Sequence, residues 1–255
     1  MKQPLVIGNW KMNGSLSANE VLLDQLLPAL AGIGDVKMVL CPPFPYLSQA
    51  DARLRGTRIE LGAQSLNAHE SGAHTGEVSA TMLMDLNCRY VLIGHSERRS
   101  LYGETDADTA QKFAAAKAAG LIPVLCVGET LSQRQNGTTE AVVARQLLAV
   151  IDALGIETLR GTVIAYEPVW AIGTGETATP EQAQAVHAFI RRSLAEQSAR
   201  IADQVPLLYG GSVKADNAAA LLAQPDINGA LVGGASLDAA AFAAICQAAA
   251  EARQA

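Results

Sequence analysis

The sequence has little concentrated positive charge. Of its 255 residues, 19 are lysine or arginine and 25 are aspartate or glutamate, which gives a formal net charge of −6. No basic run is longer than a pair, as at Arg98 and Arg99 or at Arg191 and Arg192. Nucleic acid and anionic membrane surfaces are therefore poor partners for this chain.

Closely spaced cysteines, a secretory leader and a bilayer-spanning apolar run are also missing from the sequence. Because the four cysteines (Cys41, Cys88, Cys126 and Cys246) lie far apart, we expect buried reduced thiols rather than a disulfide framework or a zinc or redox site. The first residues, Met-Lys-Gln-Pro, are not followed by a sustained apolar segment and a cleavage site. A cytoplasmic location is the resulting expectation.

No glycine-serine linker, charge block or low-complexity tract divides the chain. The composition, with 49% hydrophobic and 17% charged residues, is typical of a globular protein with a substantial core. A length near 250 residues suits either two small domains or one large α/β unit. Without a visible boundary, the sequence predicts one domain over residues 1–255.

Short apolar runs rich in β-branched residues alternate with amphipathic, alanine-rich stretches. Eight strands are predicted, at Leu5–Ile7, Val36–Leu40, Ile59–Ala63, Tyr90–Ile93, Ile122–Val127, Val163–Tyr166, Val205–Tyr209 and Ala230–Val232. Continuous rather than alternating apolar runs indicate parallel strands buried on both faces. Eight strand–helix units in about 250 residues predict an α/β fold, a (β/α)8 barrel with eight parallel strands surrounded by helices.

Several helix boundaries can be predicted from local signals. Ser17 and Glu20 have the spacing of a capping box, with Leu16 and Val21 as its hydrophobic staple, and the segment 179–182 (TPEQ) adds proline at the first helical position. The helix predicted from about Thr139 to Leu154 carries an apolar stripe. We expect that stripe to pack on the barrel and its arginine and glutamine residues to face outward.

Polar side chains follow the predicted strands at the end where barrel active sites lie. Asn9 and Lys11 follow the first strand, on the same side of the chain, and His95 follows the fourth. His95 also stands where a short helix begins, which favours a neutral imidazole because the helix dipole opposes protonation. Glu167 follows the sixth strand and precedes an apolar loop, 169–175, suited to act as a water-excluding lid.

Glycine-rich segments follow the last two strands. Residues 210–212 (GGS) and 233–236 (GGAS) each open toward a helix, so their backbone N–H groups can approach an anion. Each feature alone has an ordinary explanation, since strand-end glycines usually form turns and lone histidines are usually structural. Their joint placement at one end of successive strands indicates an active site for an anionic substrate.

These residues also match a known family. The segments 8–11 (GNWK), 94–99 (GHSERR), 165–175 (AYEPVWAIGTG) and 209–213 (YGGSV) resemble triosephosphate isomerase, and 72–79 (GAHTGEVS), 126–129 (CVGE) and 231–235 (LVGGA) extend the resemblance over essentially the whole chain. The resemblance implies interconversion of dihydroxyacetone phosphate and D-glyceraldehyde 3-phosphate through an enediolate, with no cofactor and no metal. This enzyme family is itself a standard example of tuned acid–base groups and of lid closure.

The resemblance assigns a role to each matched position. It implies that Glu167 is the base, His95 the neutral electrophile, Lys11 the electrostatic partner of the substrate and Asn9 a support for both. The implied substrate-binding positions are Asn9, Lys11, Gly173, Ser212, Gly233 and Gly234, and the supporting ones are Ser96, Glu97, Tyr209 and Thr75.

The family resemblance further implies a homodimer, in which the loop carrying Thr75 enters a pocket of the other subunit. Ser65, His74 and Glu176 depart from common family residues, so they bear on interface strength and lid kinetics rather than on acid–base chemistry. Two other hypotheses remain open from the residues alone. One is a Schiff-base aldolase using Lys11, which borohydride would trap; the other is a catalytically silent sugar-phosphate sensor, since a fold does not prove a function.

Overall fold

A computed structural model describes residues 3–173 and 176–252, and its strands close into a barrel. The strands are β1 (Leu5–Asn9), β2 (Lys37–Cys41), β3 (Ile59–Ala63), β4 (Tyr90–Ile93), β5 (Ile122–Val127), β6 (Val163–Tyr166), β7 (Leu207–Tyr209) and β8 (Gly229–Val232). Each strand pairs in parallel with its neighbours in chain order, and β8 pairs with β1. The predicted fold class is therefore confirmed.

Helices surround the barrel within the described ranges. They are α1 (Leu16–Ala31), α2 (Leu47–Leu54), α3 (Ala80–Asp85), α4 (Ser96–Tyr102), α5 (Asp106–Ala118), α6 (Leu131–Gln135), α7 (Thr139–Leu154), α8 (Pro180–Gln197), α9 (Ala199–Gln204), α10 (Ala218–Leu222) and α11 (Ala239–Glu251). Among these helices, none is long and apolar enough to cross a membrane.

Side-chain alternation along the strands divides the core into two layers. Leu5 and Ile7 of β1 belong to an inner cluster with residues such as Leu92 and Leu208 from other strands, whereas Val6 packs in a larger outer cluster with the helices. Both strand faces are therefore buried, as expected for a parallel barrel. The four cysteines are buried and free, which confirms the prediction made for them.

Predicted strand bounds hold for β3 to β6 and differ by one or two residues elsewhere. The largest shortening is in β7, which begins at Leu207 rather than Val205. The N–H of Val205 instead donates to the carbonyl of Ile201, at the end of α9. Pro206 has no N–H to contribute to the barrel ladder. Val205, which the apolar pattern predicted as the first residue of the strand, therefore caps the end of α9 instead.

The predicted capping box at Ser17 and Glu20 is wrong. Ser15 is the N-cap of α1, because its extended backbone lets Oγ accept the N–H of Ala18 at 3.1 Å. The proposed staple is wrong as well, since Leu16 and Val21 are exposed. The second signal is confirmed: Thr179 and the side chain at the third helical position of α8 exchange the two hydrogen bonds of a capping box, with proline at the first position.

Helix α7 has the predicted bounds, and its apolar stripe packs inward. Its single glutamine contradicts the expectation that glutamine faces outward. Gln146 is 5% exposed and lies within the buried stripe beside Leu147. A buried amide must find hydrogen-bond partners, and Gln146 finds them on the loop that follows β5.

Candidate active site

The strand ends bring the predicted polar side chains together. Asn9 ends β1, Lys11 follows two residues later, His95 follows β4 and Glu167 follows β6 directly. All four line one cavity of about 410 Å³. The same cavity is lined by the other predicted substrate-binding positions, Gly173, Ser212, Gly233 and Gly234. Two residues of the predicted lid, Thr174 and Gly175, lie outside the described residues.

Glu167 is the buried carboxylate of the cavity, with 2% of its surface exposed. Its Oε1 lies 2.9 Å from His95 Nε2, and its Oε2 accepts the backbone N–H of Ser96 at 2.8 Å. Burial raises the pKa of Glu167, but His95, the Ser96 N–H and Lys11 together hold this pKa below its ordinary value. Glu167 is therefore ionised at neutral pH and able to accept a proton.

His95 caps helix α4, as predicted. Its Nδ1 accepts the N–H of Glu97 at 3.2 Å, so Nδ1 carries no proton and the neutral ring carries its hydrogen on Nε2. Burial lowers the pKa of His95, yet the adjacent Glu167 carboxylate outweighs burial and the net shift is upward. This direction is opposite to the one expected from the helix end, because the sequence did not show the contact with Glu167.

Lys11 is held in an unusual backbone conformation, with φ at +53°. Its N–H donates to Asn9 Oδ1 at 3.0 Å, its carbonyl accepts from Gln64 Nε2 at 2.8 Å, and its ammonium group forms an ion pair with Glu97. A left-handed lysine is strained, and such strain persists where the surroundings fix it. These contacts aim the charge of Lys11 into the cavity.

Glycine-rich backbone also lines this cavity. Gly233 and Gly234 begin a short 3₁₀ turn after β8, and Ser236 anchors that turn by donating to the Gly233 carbonyl at 2.6 Å. Ser212, which follows β7, lines the cavity as well. Backbone N–H groups with no side chains in front of them suit the oxygens of a phosphate.

The loop after Glu167 is fastened at its start. Trp170 Nε1 and the Tyr166 hydroxyl both donate to Glu129 Oε1, at 2.9 and 3.1 Å, and the Glu129 side chain is completely buried. Tyr209, one of the predicted supporting residues, is buried and does not line the cavity. Burial raises the pKa of Tyr209 to about 12, so its hydroxyl remains protonated.

Three polar residues around the site were not predicted to take part in it. Gln64 holds Lys11, Glu129 holds the start of the loop, and Gln146 contacts the loop after β5. Glu129 stands in the family-like segment 126–129 and Gln146 interrupts an apolar stripe, which are the signals that could have identified them. Thr75, in contrast, is exposed and away from the cavity.

The fold and this cavity define a class: parallel (β/α)8 barrels that hold a carboxylate, an imidazole and an ammonium group in one cavity beyond the carboxyl ends of the strands. A family model described as triosephosphate isomerase matches residues 4–249. The chain is 61% identical to a triosephosphate isomerase of Thiobacillus denitrificans over 251 residues, covering 98% of this chain and 100% of the relative. It is 55% identical to that of Nitrosococcus oceani, with 98% and 100% covered, and 56% identical to that of Photorhabdus laumondii, with both chains covered completely.

The chain therefore belongs to the triosephosphate isomerase family. It is an isomerase that interconverts dihydroxyacetone phosphate and D-glyceraldehyde 3-phosphate.

Proposed function

We propose that Glu167 is the base of this isomerase. Its carboxylate takes a proton from C1 of dihydroxyacetone phosphate, which leaves an enediolate, and then returns the proton to C2 to give the aldehyde. The supporting observation is the ionised, buried carboxylate at the end of β6, inside the cavity. When Glu167 leaves the Ser96 N–H and His95 to reach the substrate, it loses the contacts that depress its pKa and becomes a stronger base.

His95 is the electrophile in this proposal. Its Nε2–H donates to the oxygens of the developing enediolate and passes a proton from the oxygen on C1 to the oxygen on C2. C1 therefore ends as the aldehyde carbonyl and C2 carries the hydroxyl group. The Glu97 N–H at Nδ1 keeps that nitrogen unprotonated. Lys11 and Asn9 stabilise the negative charge on the same oxygens, and Glu97 orients Lys11.

The phosphate group binds to the backbone N–H groups of Gly173, Ser212, Gly233 and Gly234. This contact is remote from the reacting carbons, so its binding energy can drive closure of the loop over the substrate. Tyr209 and Ser212 hold the closed loop. Closure removes water, which strengthens the pull of Lys11 and His95 and protects the enediolate from losing phosphate.

The role of Glu167 is tested with Glu167→Gln in a coupled spectrophotometric assay. We expect kcat to fall by at least roughly 10²- to 10⁴-fold, the range for general-base catalysis, with the fold intact by circular dichroism. The matched control is Glu196→Gln, which alters an exposed carboxylate on α8 and should leave kcat unchanged. Retained turnover in folded Glu167→Gln would show that another group is the base.

We also propose that the enzyme is a cytoplasmic, one-domain protein that forms a homodimer through the loop around Thr75. Residues 69–77 of that loop are exposed. Met82, which lines a pocket with that loop, leaves 50% of its surface exposed, and Met12, which follows Lys11, leaves 91% exposed. Exposed apolar side chains of this size support an interface with another protein surface.

A further inference from the structure

The side-chain amide of Gln146 forms hydrogen bonds with both the backbone N–H and the backbone carbonyl of Gly128. The N–H of Gly128 donates to Gln146 Oε1 at 2.7 Å, and Gln146 Nε2 donates to the Gly128 carbonyl at 3.1 Å. The amide is 5% exposed, so water does not compete well for these bonds. Gln146 thus clamps Gly128 from helix α7.

Gly128 in turn lies against the backbone of Glu167. A Cβ atom on Gly128 would be 1.7 Å from the Glu167 carbonyl oxygen and 2.6 Å from its carbonyl carbon. Only glycine permits so close an approach of two backbones. A displacement of Gly128 therefore shifts the backbone of Glu167.

The residues on either side of Gly128 also bind the segment that carries Glu167. The N–H of Glu167 donates to the carbonyl of Val127 at 2.7 Å, and the N–H of Val169 donates to the carbonyl of Glu129 at 3.0 Å. The segment 127–129 thus supports the backbone around Glu167 through two hydrogen bonds and one close backbone contact. Gln146 fixes the centre of that segment.

We propose that Gln146 is a positioning residue for catalysis, which places the Glu167 carboxylate by clamping Gly128. It stands on a rigid part of the fold, because Val143, Leu147 and Val150 of α7 are buried in the core. The inference rests on the proposed role of Glu167 as base. A reacting group displaced by about 1 Å can lose roughly 10²-fold in rate, so a clamp that acts through Gly128 has a measurable effect on turnover.

A purely structural role and a positioning role have different kinetic consequences. If Gln146 only satisfies buried polar groups, its loss lowers stability and leaves the folded enzyme fully active. If it positions Glu167, its loss lowers kcat and leaves KM nearly unchanged, since three of the four proposed phosphate contacts, Ser212, Gly233 and Gly234, follow β7 and β8.

The test is Gln146→Met, which keeps the unbranched shape and removes the bonds to Gly128. We expect kcat to fall roughly 10- to 100-fold and KM to change by less than about threefold. The control is Val150→Ala, a buried change one turn further along α7, which should lower the melting temperature and leave kcat unchanged. An unchanged kcat in Gln146→Met, or an equal loss in Val150→Ala, would refute the positioning role.

A second experiment combines Gln146→Met with Glu167→Asp, whose shorter side chain already misplaces the carboxylate. A combined loss smaller than the product of the single losses supports action through Glu167, whereas multiplicative losses contradict it. If Gln146→Met does not fold, Gln146→Asn replaces it, because its amide is withdrawn by one methylene. Full turnover in Glu167→Gln would refute the proposed base, while full turnover in Gln146→Met with inactive Glu167→Gln would refute only the positioning role.

Discussion

At the scale of single residues, the fold buries a histidine that takes no part in the proposed chemistry. His187 on α8 is completely buried, and its Nδ1 lies 2.7 Å from the carbonyl of Ala183 one turn earlier. Its ring stands edge-on to Tyr166 at a centroid distance of 5.6 Å. Burial lowers the pKa of His187 to about 4, so the ring is neutral throughout the physiological pH range.

This neutral histidine predicts that acid destabilises the fold. The unfolded chain protonates His187 below a pH of about 6.5, whereas the folded protein resists protonation until about pH 4. The contribution of His187 to the free energy of unfolding should therefore be constant above pH 6.5 and should fall as the pH drops toward 4, by on the order of 3 kcal/mol. Urea unfolding at a series of pH values and at fixed protein concentration measures this free energy of unfolding.

The histidine responsible is identified by comparing two variants. His187→Asn should be less stable at pH 7.5 but lose less stability than the wild type between pH 6.5 and 4.5. Val186→Ala, a buried change on the same helix without a titratable group, should lower stability and keep the pH dependence of the wild type. The same slope in all three proteins would exclude His187 as the source of acid sensitivity.

At the scale of secondary-structure elements, the sequence predicted what depends on local pattern. Apolar runs revealed all eight strands, and α7 and the N-cap of α8 came out at the predicted residues. Local signals were ambiguous where two residues could do the same work, since Ser15 and Ser17 are both competent caps and only Ser15 has the extended backbone. Gln146 was misassigned because its partner, Gly128, lies 18 residues away.

For the candidate site, the sequence predicted which residues lie at the same end of the barrel but not which side chains contact each other. Strand order brings Asn9, Lys11, His95 and Glu167 to one end of the barrel, so their shared cavity followed from topology. Contacts between side chains did not follow. The pKa of His95 shifts upward rather than downward because Glu167, 72 residues later in the sequence, lies 2.9 Å from its ring.

The turn after β8 yields a prediction about phosphate binding. A Cβ on Gly234 would meet no atom within 4 Å, so Gly234→Val should fold normally while it covers the backbone N–H groups proposed to bind phosphate. We expect the inhibition constant of inorganic phosphate to rise by about 10-fold or more, equivalent to at least one lost contact. Gly32→Val, equally unobstructed at the end of α1, is the control. Equal inhibition constants in the two variants would place the phosphate elsewhere.

At the scale of the whole molecule, the exposed loop 69–77 carries two imidazole rings in contact with each other. The rings of His69 and His74 are stacked, with centroids 4.2 Å apart and 25° between their planes. The carboxylates of Glu70 and Glu77 lie around the same loop, and Glu77 accepts from Asn67 at 2.8 Å. If this loop enters the partner subunit, burial there disfavours a positive charge on either ring.

The proposed dimer should therefore weaken in acid. A positive charge on the His74 ring favours the exposed loop of the monomer over the buried loop of the dimer. Sedimentation equilibrium should give a larger dimer dissociation constant at pH 5.5 than at pH 8, and His74→Phe, which keeps a stacked ring without a titratable nitrogen, should remove most of the difference. An equal dissociation constant at both pH values would exclude His74 as a switch. A monomer at all concentrations would exclude the proposed dimer itself.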